Sequence, residues 1–323
     1  MPVQVRCQLS LPEKDTLYTH IRENAPFATR MAQQDSQRGK TLTICGAGPS
    51  LAVEAPTIGP TDHVWACNSA VNYLRRGGFR VTHGFAIDQG EAMLGEHEWA
   101  TTYPMPYYVA SSVHPQLVQH LLAAKRKLTF FHSFLGLPDP DGWEPNPERP
   151  GVTYEMTLYT TIYPTSVQVG FGLNSVPRAI CLALFLGYDR IVVYGADCAC
   201  APDSPPMPAL NDPNYAAWLA SLVMYADGRC AIQYGADCVM AEAVIDGVRW
   251  HTRPDMVMSA VHMADMVKQY PQLVLRGHTL PNALLRQTPE FMADMPRLDG
   301  ELGSVEGFGR AVPLPTEDAH VYA

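Results

Sequence analysis

Residues 41–52 read TLTICGAGPSLA. Thr41, Leu42, Thr43 and Ile44 suit a buried strand, and they run through Cys45 into the small turn Gly46-Ala47-Gly48-Pro49-Ser50. A strand that feeds a helix through such a turn brings backbone N–H groups to the chain surface. The helix start adds partial positive charge there. Glycine allows the tight bend and the close approach of an oxygen-rich group. Pro49 suits a first helical turn, where no N–H is needed, and Ser50 can cap the helix or touch a phosphate. The spacing matches neither the dinucleotide fingerprint nor the P-loop, because no Lys-Ser/Thr pair and no third spaced glycine follow. On its own the stretch supports two readings, a nucleotide phosphate site and a tight structural strand-to-helix turn.

Further short apolar runs follow at regular spacing. They are HVWAC (63–67), HGFAI (83–87), PYYVA (106–110), LTFF (128–131), TSVQV (165–169), RIVVYGADC (190–198) and QLVLRG (272–277). Helical stretches are expected over 16–38, 68–78, 114–125, 178–187, within 209–228 and over 254–271. Such alternation predicts βαβ units in an α/β fold: a Rossmann-like, mostly parallel sheet with helices on both faces. Pro-rich excursions at 137–151 and 201–215 add loop-rich insertions. The expected organisation is an N-terminal helical extension (1–40), a Rossmann-like nucleotide-binding transferase domain (41–285) and a C-terminal tail (286–323).

Composition bounds the partners. The net charge of −9 over 323 residues argues against a surface built to hold nucleic acid. No window approaches 18 apolar residues and the first residues carry no apolar signal-peptide core, so a cytoplasmic protein without a membrane span is expected. Several of the eight cysteines sit in apolar runs, where cysteine acts as a small hydrophobe. Cys198, Cys200, Cys230 and Cys238 lack good zinc spacing, so no metal ligands are assigned.

A second turn, Gly170-Phe171-Gly172-Leu173-Asn174-Ser175, again ends a strand and opens an apolar helix. Two such turns at one carboxyl edge can grip a nucleotide where the strand order reverses. Gly46, Ala47, Gly48, Pro49, Ser50, Gly172, Asn174 and Ser175 are therefore cofactor-binding candidates. Asn68, Asp88 and Asp197 also follow strands; each can reach a ligand or cap a helix. His251, in VRWHTRPD, is read as lying on a loop just before a helix, where it can act as a general base or acid. Tyr-rich YEMTLYTTIY (154–163) can line a substrate mouth or be half-buried structure. YGADC occurs at 194–198 and 234–238, too short a match for a structural repeat.

The series GAGPSL (46–51), CNSA (67–70), Asp88, GLNS (172–175), LGY (186–188) and YGAD (194–197) resembles two related groups. One is the 6-hydroxymethylpterin pyrophosphokinase-like Rossmann family, some of whose members occur in phages. The other is the bacterial sialyltransferases that use CMP-sialic acid. The second resemblance implies donor contacts at Ala47, where that group has Asn, at Asn68 and at Asn174-Ser175. It also implies a catalytic histidine at His251 and a Pro-Asn pair at Pro281-Asn282. The first implies ATP across the two turns, with Mg²⁺ held by carboxylates such as Asp88 and Asp197. The expected activity is nucleotide-dependent transfer, with a CMP-sugar donor placed before ATP, to a small-molecule or glycan acceptor. A homo-oligomer is compatible with this reading. A nucleotide-binding protein without catalysis is the remaining alternative.

Overall fold

The computed structural model describes residues 14–90, 94, 103–136, 139–144, 146–149, 151–163, 168–169, 174–200, 202, 205–208, 212–214, 217–218, 221–222 and 240–286. Among these residues, eight strands form one parallel sheet: β1 (Thr41–Cys45), β2 (His63–Cys67), β3 (His83–Ala86), β4 (Tyr107–Ala110), β5 (Leu128–Ser133), β6 (Gln168–Val169), β7 (Arg190–Tyr194) and β10 (Leu273–Leu275). A separate antiparallel hairpin pairs β8 (Ala241–Ile245) with β9 (Val248–Thr252).

The helices are α1 (Lys14–Asn24), α2 (Ser50–Glu54), α3 (Ala70–Arg76), α4 (Pro115–Ala123), α5 (Tyr154–Ile162), α6 (Ser175–Phe185), α7 (Pro254–Gln269) and α8 (Leu280–Arg286). The chain belongs to the Rossmann-like α/β class that the alternation predicts. Its strands are apolar nearly throughout, as a parallel sheet covered on both faces requires: four of five residues are buried in β1, β2 and β7.

Strand order is β10-β7-β1-β2-β3-β4-β5-β6. The chain lays down β1 to β6 in one direction, then returns along α6 to place β7 on the other side of β1. The order therefore reverses between β1 and β7, and the crevice beyond their carboxyl ends is the place where such sheets hold ligands. The centre is aromatic: Trp65 stacks on Phe85, and Phe85 on Phe131, at 6.0 and 5.4 Å between ring centres.

Three local readings change. The helix expected over 16–38 stops at Asn24 and passes into a 3₁₀ turn at Ala25–Phe27, because Pro26 supplies no N–H. Leu17, Tyr18 and Ile21 of that segment are buried in the main core. Beyond it, Ala32 N–H bonds the Phe130 carbonyl and Phe130 N–H bonds that of Arg30. Residues 14–32 are thus packed against the sheet domain.

The second change is the β8–β9 hairpin itself, in which His251 lies. His251 is a strand residue, not a loop residue. Asp246 (φ 52°) and Gly247 (φ 79°) turn the hairpin, the left-handed pair that a two-residue turn demands. The third is α8, a helix that the sequence reading did not mark. The repeat at 234–238 lies outside the described residues.

Candidate functional site

At the switch point the two strand ends remain paired as loops. Gly46 N–H donates to the Tyr194 carbonyl (2.8 Å), and Gly48 N–H to that of Gly195 (2.9 Å). There is no room for side chains. A methyl group on Gly46 would strike the Gly195 carbonyl and meet Val176 Cγ2 at 2.8 Å, and one on Gly48 would strike the Asp197 carboxylate. Gly195 itself needs φ +63°. The glycines of 46–48 therefore serve a close approach, and the approaching oxygens include the chain's own.

Asp197 is buried, and its carboxylate sits at the start of α2. It accepts from the Ser50 hydroxyl (2.8 Å) and the Ser50 N–H (3.2 Å). Burial pushes its pKa up to about 7 against those bonds, and Glu54 adds repulsion. Pro49 precedes Ser50 in helical geometry, and Ala47 packs against the core.

The end of the second turn, Asn174-Ser175, reaches the same rim. Asn174 caps α6 by accepting from Val176 N–H (3.1 Å), and its side chain lies beside that of Cys198, the residue after Asp197. Ser175 lies beside the Cys67 thiol at the end of β2. One arc therefore runs from Ser50 through Asp197-Cys198 and Asn174-Ser175 to Cys67-Asn68. Gly172 lies outside the described residues, as do Cys230 and Cys238.

Two residues of this arc have left-handed backbones without being glycine: Asn68 (φ 46°) and Cys198 (φ 53°). Such conformations persist where surrounding structure holds them, often at functional sites. Asn68 donates its N–H to the Phe85 carbonyl (3.2 Å), and its side-chain oxygen is buried with no partner among the described residues. Asp88, one strand further, is exposed. It accepts from Gly90 N–H (3.1 Å) and lies within the electrostatic reach of Arg178 on α6.

His251 borders the crevice through its backbone. Its carbonyl accepts from Cys200 N–H (2.8 Å), and Thr252 donates its hydroxyl to the Cys198 carbonyl (2.6 Å). The hairpin is thus tied to the loop that leaves β7. The imidazole is wholly buried; Nε2 bonds Glu242 Oε2 at 2.8 Å, and Nδ1 has no partner among the described residues. Burial pushes the Glu242 carboxyl up, but the bond from His251, the Met207 N–H and Arg249 outweigh it and hold it below the usual carboxylate range. Pro281 is buried in α8, and Asn282 braces the turn after β10 by donating to the Gly277 carbonyl (2.8 Å).

The residue-by-residue reading passed over a second polar group. Ser111 follows β4, His132 ends β5 and Glu155 lies on α5. His132 Nδ1 is 2.6 Å from Ser111 Oγ, and Nε2 is 3.1 Å from Glu155 Oε1, which also accepts from Leu135 N–H. All three side chains are fully buried. The row braces the ends of β4 and β5 against α5 from within the core. The signal was available: Ser111-Ser112 follows a strand just as Asn68 and Asp88 do. The Tyr-rich segment is α5, with Tyr159 and Tyr163 buried, Tyr159 stacking on His132 at 4.0 Å. Arg178, whose guanidinium is pushed down to about 10 by burial, carries charge toward Glu155 and Asp88.

Among the described residues no three His, Cys, Asp or Glu side chains converge on a metal position. Magnesium commonly takes one or two carboxylates plus substrate phosphates, and the exposed Asp88 fits that part. Asp197, already bonded to Ser50, fits it less well.

Fold and rim define an open Rossmann-like α/β protein whose polar groups gather where the strand order reverses. Residues 16–203 match the 6-hydroxymethylpterin diphosphokinase MptE-like family, and the chain belongs to that family. Among solved structures, the MAf glycosyltransferase from Magnetospirillum magneticum AMB-1 is similar, with a TM-score of 0.53 at 12% identity. The match covers 86% of this chain and 41% of that one, so this chain spans about two-fifths of its neighbour's length. At that identity the likeness is one of fold. No curated protein matches the chain. Among the described residues no helix is long and apolar enough to cross a membrane.

Proposed function

We propose that the protein is a nucleotide-dependent transferase that moves a glycosyl group from a CMP-type nucleotide sugar to a hydroxyl acceptor, a small molecule or a glycan. The observation that supports this reading is the tether between the β7 exit loop and the hairpin bearing His251, made by Cys200 N–H to the His251 carbonyl and by the Thr252 hydroxyl to the Cys198 carbonyl. In this reading the arc from Ser50 to Asn68 surrounds the donor nucleotide. The unpartnered Asn68 oxygen meets a donor group of the base or ribose, and Ser175 stands at the start of an eleven-residue helix suited to phosphate. His251 removes the proton of the acceptor hydroxyl as that oxygen attacks. The glycosyltransferase neighbour is consistent with the fold this requires.

A second reading, diphosphoryl transfer from ATP, draws support from the family, whose match ends at residue 203 and leaves His251 outside. In it, Asp88 would hold magnesium, which neutralises phosphate charge when bound; the chain's own part is to position the phosphates.

The test is to give the purified protein CMP-sialic acid with a panel of hydroxyl acceptors and, separately, ATP with 6-hydroxymethylpterin, each with and without EDTA. Release of CMP that survives EDTA and is lost in His251→Gln supports the first reading. Formation of AMP that is abolished by EDTA and by Asp88→Asn supports the second. If both nucleotides raise thermal stability and neither is consumed, the protein binds without turnover and both transferase readings fall.

A further inference from the structure

Glu242 and His251 face each other as a directly opposed pair in the β8–β9 ladder. The Asp246-Gly247 turn pins that register, and a slip of one residue would send the two side chains to opposite faces. The pairing is therefore specified by the hairpin rather than by chance contact. Glu242 Oε2 also receives the Met207 N–H (3.2 Å) and lies 3.4 Å from Arg249 Nε. These contacts hold the carboxylate in place.

An ionised carboxylate only accepts hydrogen bonds, so the bond at Nε2 requires the proton to be on Nε2. In the neutral ring Nδ1 is then a bare lone pair. It is buried and has no partner among the described residues, and a buried polar atom without a partner calls for an explanation. A carboxylate that fixes the tautomer of a histidine and leaves the other nitrogen open is the arrangement general bases use.

We infer that Glu242 is a positioning residue: it holds His251 in the Nε2–H form so that Nδ1 is the atom that takes the acceptor's proton. This rests on the reading of His251 as the base of glycosyl transfer. In the step, the acceptor O–H bond breaks and its proton passes to Nδ1. The freed oxygen pair forms the new bond to the anomeric carbon, and the pair of the breaking carbon–oxygen bond leaves with the CMP phosphate. The imidazolium so formed keeps its Nε2–H on Glu242, whose negative charge offsets it.

The experiment combines ring-nitrogen NMR on ¹⁵N-histidine-labelled protein with CMP release from CMP-sialic acid. His251→Gln assigns the resonances. The wild-type ring is expected to show an unprotonated Nδ1 and a protonated Nε2. Glu242→Ala is expected to mix the two tautomers and to lower kcat roughly 100-fold with little change in KM for the donor. Glu242→Gln, whose amide oxygen still accepts from Nε2–H, is expected to keep the tautomer and more of the turnover.

A wild-type ring protonated on Nδ1 overturns the inference, as does a Glu242→Ala protein with unchanged tautomer. So does a rate loss in Glu242→Ala that only follows its unfolded fraction. Undiminished CMP release in His251→Gln defeats the base reading itself, and this role with it. If wild-type protein releases no CMP, the transfer reading has failed, and the ring-nitrogen arm still decides whether Glu242 sets the tautomer.

Discussion

Ser50 donates both its hydroxyl and its backbone N–H to one carboxylate, that of Asp197, so the turn after β1 and the loop after β7 close on each other. Asp197 has a folded pKa of about 7 against an ordinary 3.8, with burial as the main cause. The folded protein therefore binds more protons than the unfolded chain between those values. Stability from this group is full below the unfolded value and is lost as pH rises toward 7. The slope is at most about 1.4 kcal/mol per pH unit. Asp197→Asn should remove that slope and gain on wild type as pH rises from 4 to 7. Urea midpoints across that range check it; parallel curves would refute the linkage.

Gly48 lies against the same carboxylate. Gly48→Ala should push Asp197 off Ser50 and destabilise by about 1–3 kcal/mol, the ordinary cost of overpacking. Gly59→Ala, which meets open space, is the control and should lie near wild type in the same titration.

Asn68 separates backbone from side chain. Its φ of 46° strains any residue but glycine. Asn68→Gly should therefore be more stable than Asn68→Ala by about 1 kcal/mol. If the side-chain oxygen meets the nucleotide, both variants should weaken CMP binding equally. Calorimetric titration decides this, and an affinity that instead tracks stability would assign Asn68 to the backbone turn alone.

Acid sensitivity should arise at the other end of the sheet. Burial, with His63, Arg30 and Lys40 adding repulsion, pushes His83 down to about 4 from 6.5, and burial lowers His63 too. A depressed histidine pKa leaves stability full above 6.5 and erodes it as pH falls toward 4. His83→Phe should give a shallower acid limb in thermal unfolding between pH 6.5 and 4. An unchanged limb would place the loss elsewhere.

The His132–Glu155 pair should be costly to break from one side. Glu155→Ala leaves His132 Nε2 and Leu135 N–H without this acceptor inside the fold. A loss of about 3–5 kcal/mol is expected in chemical denaturation. A loss below about 1 kcal/mol would mean that water reaches the pair.

Much of the fold was legible along the chain. Apolar runs of four to six residues between helical stretches suffice to announce a parallel sheet, because strands buried on both faces are apolar at nearly every position. The turn at 46–50 and the polar residues that follow strands, Asn68 and Asp88 among them, could likewise be picked out locally. What a single pass could not supply is the partner each residue meets. Asp197 reads equally as a ligand contact or a helix cap until the return of α6 lays β7 beside β1, 147 residues from Ser50, where it fills the start of α2. His251 reads as a loop residue until the Asp246-Gly247 turn folds Glu242 onto it. His132 ends a strand and gains meaning only from a helix that begins 22 residues later. Local pattern sets which residues face inward, since periodicity and turn chemistry act over a few positions. Which side chains then neutralise, cap or orient one another depends on strand order and on hairpin register, and those are settled only when the whole sheet assembles.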